Sequence, residues 1–202
     1  MDFYPKNIGI LEAIIGPMCS GKSDALVEKC LKLEVFGKKK VKVYKPIIDN
    51  RFEDDFVVSR TGGKYPSTNL DIEITTDIIK QVVEETKDYD VVGFDEVQFF
   101  SKKIIDLVSE LVYQKKIVIV AGLNLDYRGK EFKYIGGLLA QADEVYVKRA
   151  YCNCCGEPAK YSQRLLEGKP APLGETILVG SSESYEPRCG NCYIPPNKVK
   201  KS

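Results

Sequence analysis

The stretch Gly16-Pro17-Met18-Cys19-Ser20-Gly21-Lys22-Ser23 constrains this chain more than any other. It matches G-x-x-x-x-G-K-[ST], a loop whose backbone amides cradle phosphate groups. An apolar run of strand length, Ile8 to Ile15, precedes it. Ala25, Leu26, Lys29, Leu33 and Phe36 follow at helical spacing, with Val27 and Cys30 among them. Strand, glycine loop and helix is the context that gives the pattern meaning, because the helix N-terminus adds its positive dipole end to the amides. Residues 16–23 are therefore the candidate ATP-binding loop. Lys22 reaches toward the β- and γ-phosphates in such loops, and the hydroxyl of Ser23 ligates Mg²⁺.

Downstream, apolar runs alternate with amphipathic segments. Val41–Lys45 alternates like a strand and is closed by Pro46; Gly37 before it is a plausible helix C-cap. Thr76 can cap a helix that turns Ile78, Ile79, Val82 and Val83 inward. Val91–Phe94 reads as a buried strand that delivers Asp95 and Glu96 at its C-terminal end. Ser101 can cap the next helix, with Ile104, Ile105, Val108, Leu111 and Val112 inward. Ile117–Gly122 is a further strand, then a short helix over about 134–142, then a strand over 144–147. Continuous apolar strands argue for a parallel sheet covered on both faces. The expected fold is α/β: a P-loop, RecA-like, mostly parallel sheet flanked by helices, with ligands at the C-terminal ends of the strands. Residues 47–70 form a polar, glycine-bearing connection, long enough to be functional.

After Ala150 the composition shifts to Cys, Gly, Pro and Ser. The reading divides the chain into an α/β nucleotide-binding domain over 1–150, a small zinc-ribbon-like domain over 151–193, and a flexible basic tail over 194–202. Five of the seven cysteines lie between Cys152 and Cys192, and histidine is absent from the chain. Two C-x₂-C pairs, Cys152/Cys155 and Cys189/Cys192, suit a closed tetrathiolate Zn²⁺ site, which leaves no open position for substrate and is thus structural. Cys154 is then a spare thiol. Ribbon pairs are usually spaced by about 15–20 residues. Here residues 156–188 intervene, so the metal would pin both ends of a long Gly-, Ser- and Pro-bearing segment suited to be a lid. The stretch 168–187 within it lacks a periodic apolar face and is expected to be mobile without ligand.

Without histidine, any general base is a carboxylate. Asp95 beside a P-loop serves Mg²⁺, directly or through water. Glu96 positions water in an ATPase, or takes the proton of an acceptor hydroxyl in a kinase. Asp49 and Arg51 flank a possible turn and could assist Mg²⁺ and stabilise transferring charge; a surface ion pair accounts for them equally well. Phe99, Phe100, Tyr127 and Phe132 could form a flat slot for a base, against the competing reading of ordinary core packing.

The 202 residues carry a net charge of +1. That charge gives no electrostatic case for nucleic acid or membrane binding. No apolar stretch is long enough to span a bilayer, and Met1–Lys6 lacks the shape of a signal peptide, so a cytoplasmic protein is expected.

Taken together, G-P-M-C-S-G-K-S at 16–23, D-N-R at 49–51, D-E-V-Q-F-F at 95–100, A-G-L-N-L-D-Y-R-G at 121–129, C-N-C-C-G-E-P-A at 152–159 and the run from Gly180 to Cys192 resemble the type II, zinc-containing, cellular-type thymidine kinases. The resemblance covers about residues 9–193. It implies ATP-dependent phosphorylation of thymidine, and of deoxyuridine, at the 5′-hydroxyl to give dTMP in nucleotide salvage. Glu96 would be the base, with Lys22 and Arg51 also catalytic, and Ser23, Asp95 and Asp49 around Mg²⁺. Met18, Phe99, Leu123, Tyr127, Phe132 and Tyr185 would contact the nucleoside, and the backbone of Ile177, Leu178, Val179 and Gly180 would read the base edge from a lasso-like loop. The family is similar in being homotetrameric and inhibited by dTTP. Cys19, Arg60, Asn124 and Tyr127 depart from the residues commonest in that family. The competing reading is a zinc-ribbon P-loop ATPase stimulated by nucleic acid, which the near-neutral charge disfavours.

Overall fold

The computed structural model of the chain describes residues 7–47, 56–58, 62–174 and 183–199. In chain order its elements are β1 (Ile10–Ile15), α1 (Lys22–Val35), β2 (Val41–Pro46), β3 (Phe56–Val58), β4 (Lys64–Pro66), β5 (Thr68–Leu70), α2 (Thr76–Glu85), β6 (Val91–Phe94), α3 (Ile104–Tyr113), β7 (Ile117–Gly122), α4 (Ile135–Gln141) and β8 (Glu144–Val147). Then come β9 (Ala150–Tyr151), β10 (Pro158–Ala159), β11 (Tyr161–Leu166), β12 (Lys169–Pro170) and β13 (Glu183–Arg188). The main sheet has six strands in the order β5-β2-β6-β7-β1-β8. Every pairing within it is parallel. Continuous burial along β6 and β7 follows from their unbroken β-branched and apolar runs, which suit a strand covered on both faces.

Alternate residues of each strand feed two cores. On one face Leu11, Ala13 and Ile15 of β1, Val92 and Phe94 of β6, and Val118 and Val120 of β7 pack under α2, α3 and α4. On the other, Ile14, Val43, Val91, Ile119 and Ala121 pack under Leu26, Val27 and Cys30 of α1 and under Val57 and Tyr65 of the β3–β4 hairpin. Strand β7 therefore lies between the P-loop strand β1 and the acidic strand β6. Two strand spacings, about 10 Å, separate the origins of the two site segments.

Helix and strand positions match the sequence expectation closely, and the differences are local. Phe36, expected inward on α1, is 79% exposed at the C-cap. The left-handed residue after α1 is Lys38 rather than Gly37. Gly37 is needed instead for close approach, because a Cβ there would lie 2.6 Å from the Leu33 carbonyl oxygen. Helix α2 is capped by Thr75, whose Oγ1 accepts from the Ile78 amide at 3.2 Å, and not by Thr76. Ser101 does not cap α3 with its side chain; its Oγ accepts from the Ile74 amide at 3.0 Å, tying the approach to α2 to the start of α3. The connection after β2 supplies a hairpin and the edge strand β5, which pairs with β2. Polar Thr68 and Asn69 carry too little apolar pattern to reveal that strand.

The C-terminal segment builds a two-stranded β9–β10 ribbon and a three-stranded antiparallel sheet, β12-β11-β13. Strand β12 and all of β13 but Arg188 fall inside 168–187, the stretch expected to be mobile. Residues 175–182 of that stretch are outside the described residues.

One buried cation holds the sheet's N-terminal end to α2. Lys116 is 5% exposed. Its ammonium donates to the carbonyls of Thr86 at 2.7 Å, Tyr89 at 2.9 Å and Lys87 at 3.3 Å, closing the C-terminal end of α2. Burial lowers its pKa, partly offset by Asp90 and Asp88. Lys116→Met would strand those carbonyls. Equilibrium urea unfolding should show a loss of about 1–3 kcal/mol.

Candidate active site and metal centre

The phosphate-type loop owes its shape to glycine and to left-handed backbone. A Cβ on Gly16 would lie 2.6 Å from the Lys148 carbonyl oxygen and 2.8 Å from Ser20 Oγ, so only glycine fits where β1 ends. Cys19 and Gly21 take positive φ, 62° and 72°. Gly21 is the N-cap of α1 and, unlike Thr75 on α2, offers no side-chain cap. A helix start without a side-chain cap is a favourable place for an anion. Within the loop, Ser20 Oγ and Lys22 Nζ each donate to the Pro17 carbonyl at 2.8 Å.

Across the loop stands the end of β6. Asp95 is buried and accepts a hydrogen bond from the Ser23 side chain. Burial and the charge of Glu96 push its carboxyl up to about 7, against the lowering effect of Ser23, the Glu96 amide and Lys22. Glu96 follows in a left-handed conformation, φ 47° and ψ 40°, at the start of a single 3-10 turn over Val97–Phe99. That backbone costs a non-glycine residue about 1–2 kcal/mol. It turns the half-buried Glu96 away from the strand direction.

Gln98, which carried no role in the sequence reading, is 1% exposed. Its Nε2 donates to Glu96 Oε2, and its Oε1 accepts from the Leu123 amide at 2.9 Å. Its only sequence signal is an amide inside an otherwise apolar stretch, Val97 to Phe100.

The candidate nucleoside residues fall in the loop after β7 and its surroundings. Phe99 and Phe132 meet edge to face, with centroids 6.1 Å apart. Tyr127 is 2% exposed and lies under the Arg164 guanidinium, 4.9 Å from the ring centroid. Its hydroxyl donates to the Gly174 carbonyl at 2.8 Å and accepts from the Gly174 amide at 2.9 Å. The hydroxyl that distinguishes Tyr127 from the phenylalanine common in the resembling family therefore anchors the backbone just ahead of residue 175. Leu123 is half-buried, and Tyr185 of β13 pairs opposite Arg164 of β11. Asn124 lends its carbonyl to the Phe132 amide at 3.0 Å. The sequence reading also missed Ser162, whose Oγ accepts from the Met18 amide at 2.9 Å and joins the P-loop to β11. Ser162, Gln163 and Arg164 are three successive buried polar residues, a burial that polarity alone hides. Asp49, Arg51, Arg60, Ile177, Leu178, Val179 and Gly180 lie outside the described residues.

The four cysteines do converge. The ligand atoms of Cys152, Cys155, Cys189 and Cys192 all lie within 4.8 Å of one another. Cys155 Sγ is 3.6 Å from both Cys189 Sγ and Cys192 Sγ. A tetrahedral ion with metal–sulfur bonds near 2.3 Å needs sulfurs about 3.8 Å apart, so the donor set and its spacing fit zinc. Local turns shape each knuckle: the Gly156 amide bonds the Cys152 carbonyl at 2.9 Å, and the Tyr193 amide bonds that of Cys189 at 3.0 Å. Exposed Cys154 stands apart, against the Arg188 guanidinium.

An all-parallel sheet with a glycine loop after β1, an acidic pair after β6 and a tetrathiolate cluster defines a P-loop α/β protein with a metal-knuckle appendage. The thymidine kinase family model matches residues 9–193. A protein named thymidine kinase from Thermococcus kodakarensis is 40% identical over 196 residues, covering 94% of this chain and 96% of that protein. The chain belongs to the thymidine kinase family and is an enzyme of that kind. Among the described residues, no helix is long and apolar enough to cross a membrane.

Two outcomes follow from this geometry. Protein purified without added metal should contain stoichiometric zinc by elemental analysis, and Cys189→Ser should lower both zinc content and melting temperature. The second concerns Asp95. With its carboxyl held up near 7 in the fold and about 3.8 in the unfolded chain, the native state binds the extra proton between those values. Stability of the ligand-free protein should therefore decline as pH rises from about 4 to about 7. Asp95→Asn should flatten that decline in urea titrations across pH.

Proposed function

We propose that the enzyme transfers the γ-phosphoryl group of ATP to the 5′-hydroxyl of thymidine, and of deoxyuridine, giving dTMP in cytoplasmic nucleotide salvage. The observation that carries this reading is the adjacency of Glu96 to an Asp95 carboxylate already bonded to P-loop Ser23. A carboxylate one residue beyond a cation ligand at the strand end is suited to take the proton of a hydroxyl presented to the γ-phosphate.

In this reading Gly16–Ser23 hold the ATP phosphates, with Lys22 against the β- and γ-groups. Mg²⁺, held by Ser23, Asp95 and Asp49, would neutralise charge building on the phosphates. A cation there would also favour the ionised form of Asp95. Glu96 accepts the proton of the 5′-hydroxyl, the freed oxygen attacks the γ-phosphorus, and the bond to the bridging oxygen breaks to release ADP. Arg51 stabilises the charge spread over the transferring group. Met18, Phe99, Leu123, Tyr127, Phe132 and Tyr185 enclose the nucleoside, and Ile177, Leu178, Val179 and Gly180 read the base edge with backbone groups. The zinc centre is structural and the part from 151 to 193 is a unit of its own in this reading. Tetramer formation and inhibition by dTTP come from the family resemblance; Val145 and Val147 on edge strand β8, 43% and 55% exposed, are apolar surface suited to a subunit contact.

Glu96→Gln should lower kcat with thymidine about 10²–10⁴-fold, with binding of ATP retained. Near-normal turnover would remove Glu96 from the base role. In the same coupled assay, turnover with thymidine and deoxyuridine but not with deoxycytidine, deoxyguanosine or single-stranded DNA is the expected pattern. ATP hydrolysis driven by DNA alone would favour the nucleic-acid-stimulated ATPase instead.

A further inference from the structure

Gln98 is buried at the junction of β6, β7 and the loop after β7, and each end of its amide has a separate partner. The Leu123 backbone N–H can only donate, so the side-chain atom 2.9 Å away is the oxygen. That assignment turns the NH₂ group toward Glu96, whose Oε2 accepts from it. The orientation of the amide is thus set by backbone on the far side of the site, and it cannot flip without leaving the Leu123 amide facing a second donor. Gly122 completes the arrangement. A Cβ there would sit 2.5 Å from Gln98 Oε1, so the residue before Leu123 has to be glycine for the side chain to pass.

We infer that Gln98 is a positioning residue for Glu96, holding its carboxylate at the acceptor hydroxyl and tying it to the nucleoside wall at Leu123. This inference rests on the assignment of Glu96 as base. Three features of the geometry favour a positioning role over simple packing. The bond goes to a carboxylate, where a hydrogen bond is about twice as strong as between neutral groups. Glu96 sits on a left-handed turn with only one turn of 3-10 helix behind it, so regular secondary structure contributes little to fixing its side chain. The other end of the amide is secured to the end of β7, a fully buried strand, which gives the link a rigid origin. Charged groups at this strand end include its neighbour Asp95 and Lys22 of the P-loop, which acts on Asp95. Both carry other bonds, to Ser23 and to the Pro17 carbonyl respectively.

The test is a double-mutant cycle on kcat and KM for thymidine, with Gln98→Met, Glu96→Gln and the double variant. Gln98→Met keeps length and apolar volume and removes both polar ends. The expected result is a loss of about 10- to 100-fold in kcat, the scale of a misplaced catalytic group, with KM for thymidine changed far less. In the Glu96→Gln background the same substitution should cost almost nothing further, because the group it positions is already gone. Gln98→Glu, assayed at alkaline pH with its fold checked by circular dichroism, is the second variant: it retains an acceptor for the Leu123 amide and removes the donor to Glu96, and kcat should still fall. A normal kcat in the Gln98 variants, a loss confined to KM, or an equal cost in both backgrounds overturns the positioning role while leaving Glu96 as base. Near-normal turnover in Glu96→Gln alone overturns the base assignment and this role with it.

Discussion

A lysine ammonium folded back into its own glycine loop is the constraint around which the molecule is arranged. Lys22 is 9% exposed and donates to the Pro17 carbonyl, five residues earlier. A buried cation is costly unless polar groups converge on it. The convergence here comes from the loop itself and from the end of β6, where Asp95 meets Ser23. Those groups can converge only because β1 and β6 are strands of one parallel sheet with their C-terminal ends on the same side. Strand β7 between them sets a gap of about two strand spacings. The sheet in turn is stable in that form because its central strands β6 and β7 are apolar and buried along their whole length, with both faces covered.

Polar bonds to backbone tie the C-terminal segment to this frame. Ser162 takes the Met18 amide, the Tyr193 hydroxyl gives to the Tyr127 carbonyl at 2.7 Å, and within the segment Gln163 Oε1 takes the Ile194 amide at 2.8 Å. Tyr161 and Tyr193 stack with centroids 4.2 Å apart beside Gly129. The small core around Ala150, Cys152, Ala159 and Cys189 is too slight to hold the cysteine knuckles by hydrophobic burial alone. A tetrathiolate ion would supply what that core lacks. Through β11 the segment then touches the phosphate loop at Ser162 and the Tyr127 ring two residues later, at Arg164.

Much of this was determined by sequence alone. The phosphate loop, the acidic strand end, the parallel sheet and the tetrathiolate centre are encoded in short spacings, and short spacings map directly onto local geometry: a glycine loop between strand and helix, two residues between paired cysteines, unbroken apolar runs for strands buried on both faces. What only the tertiary structure decided are the bonds between residues far apart in the chain. That Gln98 links Glu96 to Leu123, that Lys116 closes α2, that Ser162 holds the P-loop and that the Tyr127 hydroxyl secures Gly174 all depend on which surfaces meet after the sheet has assembled. A buried polar side chain looks in sequence like an exposed one. Its partner is usually a backbone amide or carbonyl, which every residue possesses and which no residue type announces.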